Sequence, residues 1–325
     1  MFPIVRAWAG SNEVIPLLSL YRKTVLSELS LCSPHEAKNT TTRNREQTVR
    51  MMANIVARVQ LSAVSYLLLR TMTQQEIKEL LEEKYWEYCN PDFIELDPIS
   101  IPHLFEDKKD IEISGLIAAT IAWGQRPTII KNATSAMQRM GNEPYRFVTE
   151  HSENDLKSLN GFVHRTFNSE DLKHFVRALK NIYSKYDSLE GVFLEGIKNG
   201  DVNMMHSIAH FKKVFFSIEH EKRTQKHVSD PLKGSASKRI NMYLRWMIRP
   251  NDREVDFGLW NRISTSILSC PLDVHSGRNA RQLGLLNRTQ NDWKAVEELD
   301  ASLRAFDPED PVKYDYALFG MGVFE

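Results

Sequence analysis

Apolar residues recur along this chain at intervals of three and four, the spacing that lines one face of a helix. Ile77, Leu80, Leu81 and Tyr85 form one such stripe. It follows Thr73-Gln74-Gln75-Glu76, where a threonine and a glutamate three residues on are placed to satisfy the first free amides of a helix. Ile113, Leu116, Ile117 and Ile121 form a second stripe, and Leu172, Phe175, Val176, Leu179, Ile182 and Tyr183 a third. Further helices are predicted over 202–220, 240–248, 292–306 and 312–322. Prolines fall mostly between these runs, where a missing amide and a fixed φ end helices. No strand-like alternation and no internal repeat stands out. The phosphate-binding loops GxGxxG and GxxxxGK[ST] are absent, which argues against a parallel-sheet nucleotide fold. The predicted fold class is all-α.

Composition narrows the class without naming an activity. At 325 residues the chain is long enough for two helical lobes or one large domain, and 42% hydrophobic with 26% charged residues is an ordinary globular mixture. No apolar run reaches the roughly 18 residues of a membrane span. The best candidate, Ile113 to Trp123, is short and interrupted by Ser114 and Gly115. The three cysteines, Cys32, Cys89 and Cys270, are too scattered for a CxxC metal knuckle or a disulfide framework. A reducing, cytoplasmic setting follows, with no metal, no cofactor and no membrane expected. Residues 1–71 differ from the rest, with nine Arg and Lys against four acids and a polar stretch, Asn39 to Arg50, lacking any apolar period. They are expected to be a poorly ordered or mis-started extension, with the helical domain spanning 72–325.

The formal net charge is +0, so any nucleic-acid surface must be local. Residues 212–249 supply one, with ten bases and three acids. A solvated helix face is the plainer explanation of such a run. Within it, Leu232-Lys233-Gly234-Ser235-Ala236-Ser237-Lys238 precedes the helix over 240–248. Small residues there allow a tight turn and let a phosphate approach the first amides of that helix, with Ser235 or Ser237 as its cap. A serine-capped corner with no ligand fits the same residues.

LKGSASK resembles the hairpin LPGVGRK of the helix-hairpin-helix DNA glycosylases, the endonuclease III class, with Ala236 in place of the second glycine. Leu272-Asp273-Val274-His275, followed by Arg278, Arg281, Leu283 and Gly284, is similar to that class's VDTHxxRxxxRLG segment. Leu116 to Gln125 resembles its helix ending in a glutamine that enters the duplex. The three blocks occur in the class's order. A closer resemblance, over nearly all of 72–325, is to an uncharacterised bacterial family marked by DPISIPH (97–103), AWGQR (122–126), LRWMIR (244–249), PLDVH (271–275) and DPVKYDYALFGMGV (310–323). That family supplies relatives but no activity.

The glycosylase resemblance implies two helical lobes with a cleft between them and the hairpin, 232–238, at their junction. It implies that Lys238 attacks the sugar C1′ of a damaged nucleotide and that Asp273 stabilises the charge that develops. Lys238 is otherwise a surface or phosphate-contacting lysine, and Asp273 a helix cap. Gln125, Arg126, Lys233, Gly234, Ser235, Ala236, Ser237, Arg239, His275 and Arg278 would contact damaged or abasic double-stranded DNA. Lys238 and Asp273 are 35 positions apart, with Asn251 to Trp260 resembling an insertion. Trp123 and Trp260 are candidates to stack on an extruded base, whereas Trp246, among Tyr243, Leu244 and Met247, is expected in the core. His275 is expected to be structural. Two other functions stay open: a non-catalytic helix-hairpin-helix DNA-binding protein, and a helical module that binds protein. The discriminating observation is whether Lys238 and Asp273 face one cleft: lining it with Gln125 nearby favours the enzyme, a basic cleft with one of the pair pointing away favours the binding protein, and no groove favours the protein-binding module.

Overall fold

The computed structural model describes residues 72–324. The expectation for residues 1–71 lies outside these. Thr73 opens α1 (Gln74–Tyr88) with the predicted reciprocal cap, its hydroxyl accepting from the Glu76 amide. A short α2 (Asp92–Glu95) and two 3-10 turns lead to α3 (Lys108–Thr120), α4 (Arg126–Arg139) and α5 (Pro144–Glu150). A two-stranded antiparallel hairpin follows, β1 (Val163–His164) and β2 (Phe167–Asn168), with His164 opposite Phe167. It is the only sheet among the described residues. The remaining helices are α6 (Ser169–Tyr183), α7 (Leu189–Glu195), α8 (Met205–Phe215), α9 (Lys238–Ile248), α10 (Val274–Gln282), α11 (Trp293–Phe306) and α12 (Tyr314–Val323). The all-α expectation holds. No helix among the described residues is long and apolar enough to cross a membrane.

α3 explains the apolar run at 113–123. Every residue from Ile111 to Thr120 is buried, so the helix is core on all sides. α9 packs against it. Gly115 permits the contact, because a Cβ there would meet Met247 at 3.2 Å and Tyr243 at 3.4 Å. α3 also buries a carboxylate, Glu112, within a ring of donors. Its Oε1 accepts from Ser188 Oγ at 2.5 Å and Trp260 Nε1 at 2.7 Å, and its Oε2 from Tyr183 Oη at 2.8 Å and the Leu189 amide at 3.1 Å. Trp260 is therefore a buried anchor and not a stacking surface, and Trp246 is in the core as expected.

The helix predicted over 202–220 is shorter at both ends. Asn203 Oδ1 accepts from the Met205 amide and starts the helix there. Beyond Phe215 the chain turns back so that Phe216 stacks on His174, with His220 alongside. The segment resembling an insertion, 251–260, is tied into the core. Its Phe257 and Trp260 amides donate to the carbonyls of Trp246 and Met247, at 2.8 and 3.0 Å. Asp256 meets the buried Arg249 Nη1 at 2.5 Å.

Candidate functional site

Two helix starts bring the predicted pair together. Lys238 is the first residue of α9. Asp273 caps α10 from an extended backbone, φ −123°. Its Oδ1 accepts from the amides of His275 and Ser276, at 2.7 and 3.0 Å, and Ser276 Oγ accepts from the Asp273 amide at 2.9 Å. One carboxylate oxygen is thereby committed to the cap. The other, Oδ2, lies 3.9 Å from Lys238 Nζ, an ion pair too long for a hydrogen bond. Both side chains are partly exposed, 28% and 19%, so solvent or a ligand can reach them.

Beneath this pair lies a charged layer that sequence reasoning did not place at the site. Arg245 lies two turns further along the same face of α9, and its Nη1 donates to Asp315 on α12. Arg245 Nε is 3.5 Å from Asp256. Arg249, one further turn on, makes a two-pronged contact with Asp310, Nη2 to Oδ2 at 2.8 Å and Nε to Oδ1 at 3.0 Å. Cys270 Sγ is 3.6 Å from the other oxygen of Asp315. Burial pushes the Asp315 carboxyl up to about 6; Arg245 and Lys238 oppose the shift and Asp273 adds to it. Burial also raises Asp97, against the pull of the Ile99 amide and of Arg245, Lys238 and Arg126. Asp97, Arg245 and Asp315 all occur in the quoted family segments, the one signal that could have found them.

The hairpin has the expected tight turn with a different internal arrangement. Gly234 is left-handed, φ +84°, at the end of a 3-10 turn (Pro231–Lys233). The second left-handed residue is Ser237, φ 49°, and not Ala236. Neither serine caps α9. Ser237 stands at the cap position in a conformation that turns its side chain away, and Ser235 Oγ instead accepts from the Ser237 amide at 3.2 Å. The amides of Gly234 and Ser235 donate to Pro231 and Asp230, and the Gly234 carbonyl accepts from Trp293. Ala236 and Ser237 are buried, while Lys233 projects with its side chain 80% exposed. Arg239 turns inward. Its Nη1 donates to the Thr120 carbonyl, and its guanidinium lies 4.6 Å over the partly buried Trp123 ring. Burial pulls Arg239 down to about 10.

The start of α4 carries the other predicted contacts. Gln125 is exposed at the cap position and makes no capping bond with its side chain. Gly124 before it needs its φ of +111°, and the side chain of Arg165, from the β1–β2 turn, lies against it. Arg126 covers the rings of Phe319 and Phe324, at 5.0 and 5.7 Å. His275 also meets Phe319 edge-on, and its Nδ1 bonds the Gly322 carbonyl at 2.8 Å. Arg278 is exposed and reaches the same carbonyl at 3.5 Å. Phe319 thus joins the starts of α4 and α10. Among the described residues no group of three or more His, Cys, Asp or Glu side chains is placed to hold a metal ion.

No curated protein and no solved structure matches the chain. The segments that surround Lys238, from Asp97 through Asp315, fall within one family model. That model, described as Protein of unknown function (DUF2400), matches residues 97–324, and the chain belongs to this family.

Proposed function

We propose that this protein is a helix-hairpin-helix DNA glycosylase-like enzyme that acts on damaged or abasic double-stranded DNA, with Lys238 as nucleophile and Asp273 as its acid–base partner. The observation that carries this is the ion pair of Lys238 with the uncommitted oxygen of Asp273, formed by residues 35 positions apart. An amine must lose a proton before its lone pair can attack, and Oδ2 of Asp273, 3.9 Å away, can take it through one bridging water or after a small side-chain rotation. As the Lys238 nitrogen bonds to C1′, the glycosidic bond breaks. The base leaves with that electron pair and takes up a proton. The nitrogen lone pair then forms the second C–N bond as the C1′–O4′ bond opens, O4′ keeps that electron pair and takes up a proton, and loss of the second amine proton gives the imine. The starts of α9 and α10 both point their positive ends at this place, which favours the anionic backbone of DNA.

The competing function, a DNA-binding protein without catalysis, has one observation in its favour. Asp273 already satisfies a full cap, and its contact with Lys238 can serve simply to pin α9 to α10. Borohydride trapping separates the two. Wild-type protein is expected to crosslink to a duplex carrying an abasic site. Lys238→Arg keeps the charge but stays protonated, so it binds and does not crosslink. Asp273→Asn keeps a capping oxygen, folds, and slows base release by about 100-fold or more while leaving binding nearly unchanged. Wild-type protein that binds the duplex and never crosslinks, with no base release that depends on Asp273, would establish the non-catalytic function.

A further inference from the structure

The carbonyl of Asp273 accepts two hydrogen bonds. One is the first bond of α10, from the Gly277 amide at 3.0 Å. The other comes from outside the helix, where Asn291 Nδ2 donates to it at 2.8 Å. Asn291 is held in turn by α10, since Arg281 Nη2 donates to its Oδ1 at 2.6 Å. Arg281 Nε donates to the Arg288 carbonyl of the same loop at 2.7 Å. This contact needs Gly277, because a Cβ there would lie 2.9 Å from Arg281 Nη1 and 3.0 Å from Asn291 Oδ1. The loop, residues 287–293, also reaches the hairpin. The Trp293 amide donates to the Gly234 carbonyl at 3.0 Å, and Ser235 pairs with Asp292 in an antiparallel bridge. Between these ends Arg288 forks onto Asp292, at 2.6 and 2.5 Å. One short loop therefore grips both the residue that starts α10 and the turn that precedes α9.

We propose that Asn291 is a positioning residue for Asp273, the link by which loop 287–293 clasps the start of α10 to the hairpin and sets how far Asp273 stands from Lys238. This rests on Lys238 and Asp273 being the reacting pair. The two belong to different helices, and their own contact, 3.9 Å long and open to solvent, is too weak to fix that separation. The bonds of the clasp are short and directional, and they fix it instead. Arg281 gains a role with it. A guanidinium carries donors only, so it binds the oxygen of the Asn291 amide and leaves the nitrogen facing the Asp273 carbonyl.

The test is Asn291→Asp. It keeps an oxygen for Arg281, removes the donor to the Asp273 carbonyl and sets oxygen against oxygen there. Position 291 is exposed and the Gly277 bond remains, so the melting midpoint should stay within about 3 °C of wild type. Amide hydrogen exchange, followed by NMR on the whole protein, reads the clasp at its other end. The Trp293 amide should exchange faster by about 5-fold or more, with Leu299 in the middle of α11 unmoved. Borohydride trapping on an abasic duplex reads the position of Asp273. It should slow by about 10-fold while Kd for the duplex stays within about 2-fold. Asn291→Leu, which adds no charge, should do the same. In an Asp273→Asn background either change should slow trapping no further. Unchanged Trp293 exchange overturns the proposal. Faster exchange with an unchanged trapping rate overturns it too, as does an equal loss in the Asp273→Asn background. Wild-type protein that never traps removes the enzymatic function, and the clasp then stands or falls on the exchange alone.

Discussion

Glu112 offers a test of the core that owes nothing to the proposed activity. Each of its oxygens receives one hydroxyl and one obligate N–H donor: Ser188 and Trp260 on Oε1, Tyr183 and Leu189 on Oε2. In Glu112→Gln the amide nitrogen must replace one oxygen. A hydroxyl can rotate to accept from it, but the Leu189 amide or the Trp260 indole cannot. One buried donor is then left facing another, at a cost of about 2–3 kcal/mol. Glu112→Ala strands both obligate donors and opens a cavity, at a cost of about 4–5 kcal/mol. For a domain of this size the midpoint falls by about 2–4 °C per kcal/mol. Calorimetry near neutral pH should therefore show a loss of roughly 5–10 °C for the glutamine variant and about twice that for alanine. A double-mutant cycle sharpens the point. Trp260→Phe removes one of the two obligate donors, so it should cost about 1 kcal/mol less in the Glu112→Gln background than in wild type. A glutamine variant that melts with the wild type would show that the four bonds do not hold α3 in place, and additive costs in the cycle would show that Trp260 does not depend on Glu112.

Two further outcomes follow from the described side chains. Burial holds His174 and His227 down to about 4, so each stays neutral in the fold while the unfolded chain protonates below about pH 6.5. The stability they contribute is complete above that pH and is lost as pH falls toward 4; Asp300 and Asp315, raised to about 6, work in the opposite direction over the same window. His174→Phe, which keeps the stack on Phe216, should then reduce the loss of stability between pH 7 and pH 4.5 by about 2 kcal/mol in urea titrations, and an unchanged loss would sink the assignment. The second outcome separates two bases of the charged run: Lys233→Glu should weaken duplex binding, more so at low salt, and leave the melting midpoint within about 1 °C, whereas Arg239→Glu should lower the midpoint by several degrees because it buries an acid against the Thr120 carbonyl. Equal effects of the two on binding and on melting would refute this division.

The helices were legible because their apolar stripes are real faces. Leu172, Phe175, Val176, Leu179 and Ile182 are all buried on α6, and the Thr73 cap has the bonds its spacing implied. The ends were less legible, because they depend on partners distant in sequence or on local turns, as at Asn203 and Phe216. Charge was the least reliable guide to position. Arg239, Arg245 and Arg249 all belong to a run that reads as a basic surface, yet the first packs on Trp123 and the other two are enclosed with aspartates. Nothing local distinguishes an arginine facing water from one facing an aspartate 61 or 70 positions away. The meeting of Lys238 and Asp273 was expected from resemblance alone; the layer under them was not expected at all.

The way α9 is held has a consequence for how Lys238 can move. Its far half is fixed by Arg245 and Arg249 to three carboxylates on two different segments, and its flank is pressed against α3 through Gly115. Lys238 sits at the other end, beside Arg239, which is itself tied to the Thr120 carbonyl and packed on Trp123. Its Cα has little travel, and the amine explores space only by rotation about the side-chain bonds, within a radius of about 6 Å. Anything that meets the amine must be brought inside that small sphere, so the displacement that binding requires falls on the partner molecule and not on this helix.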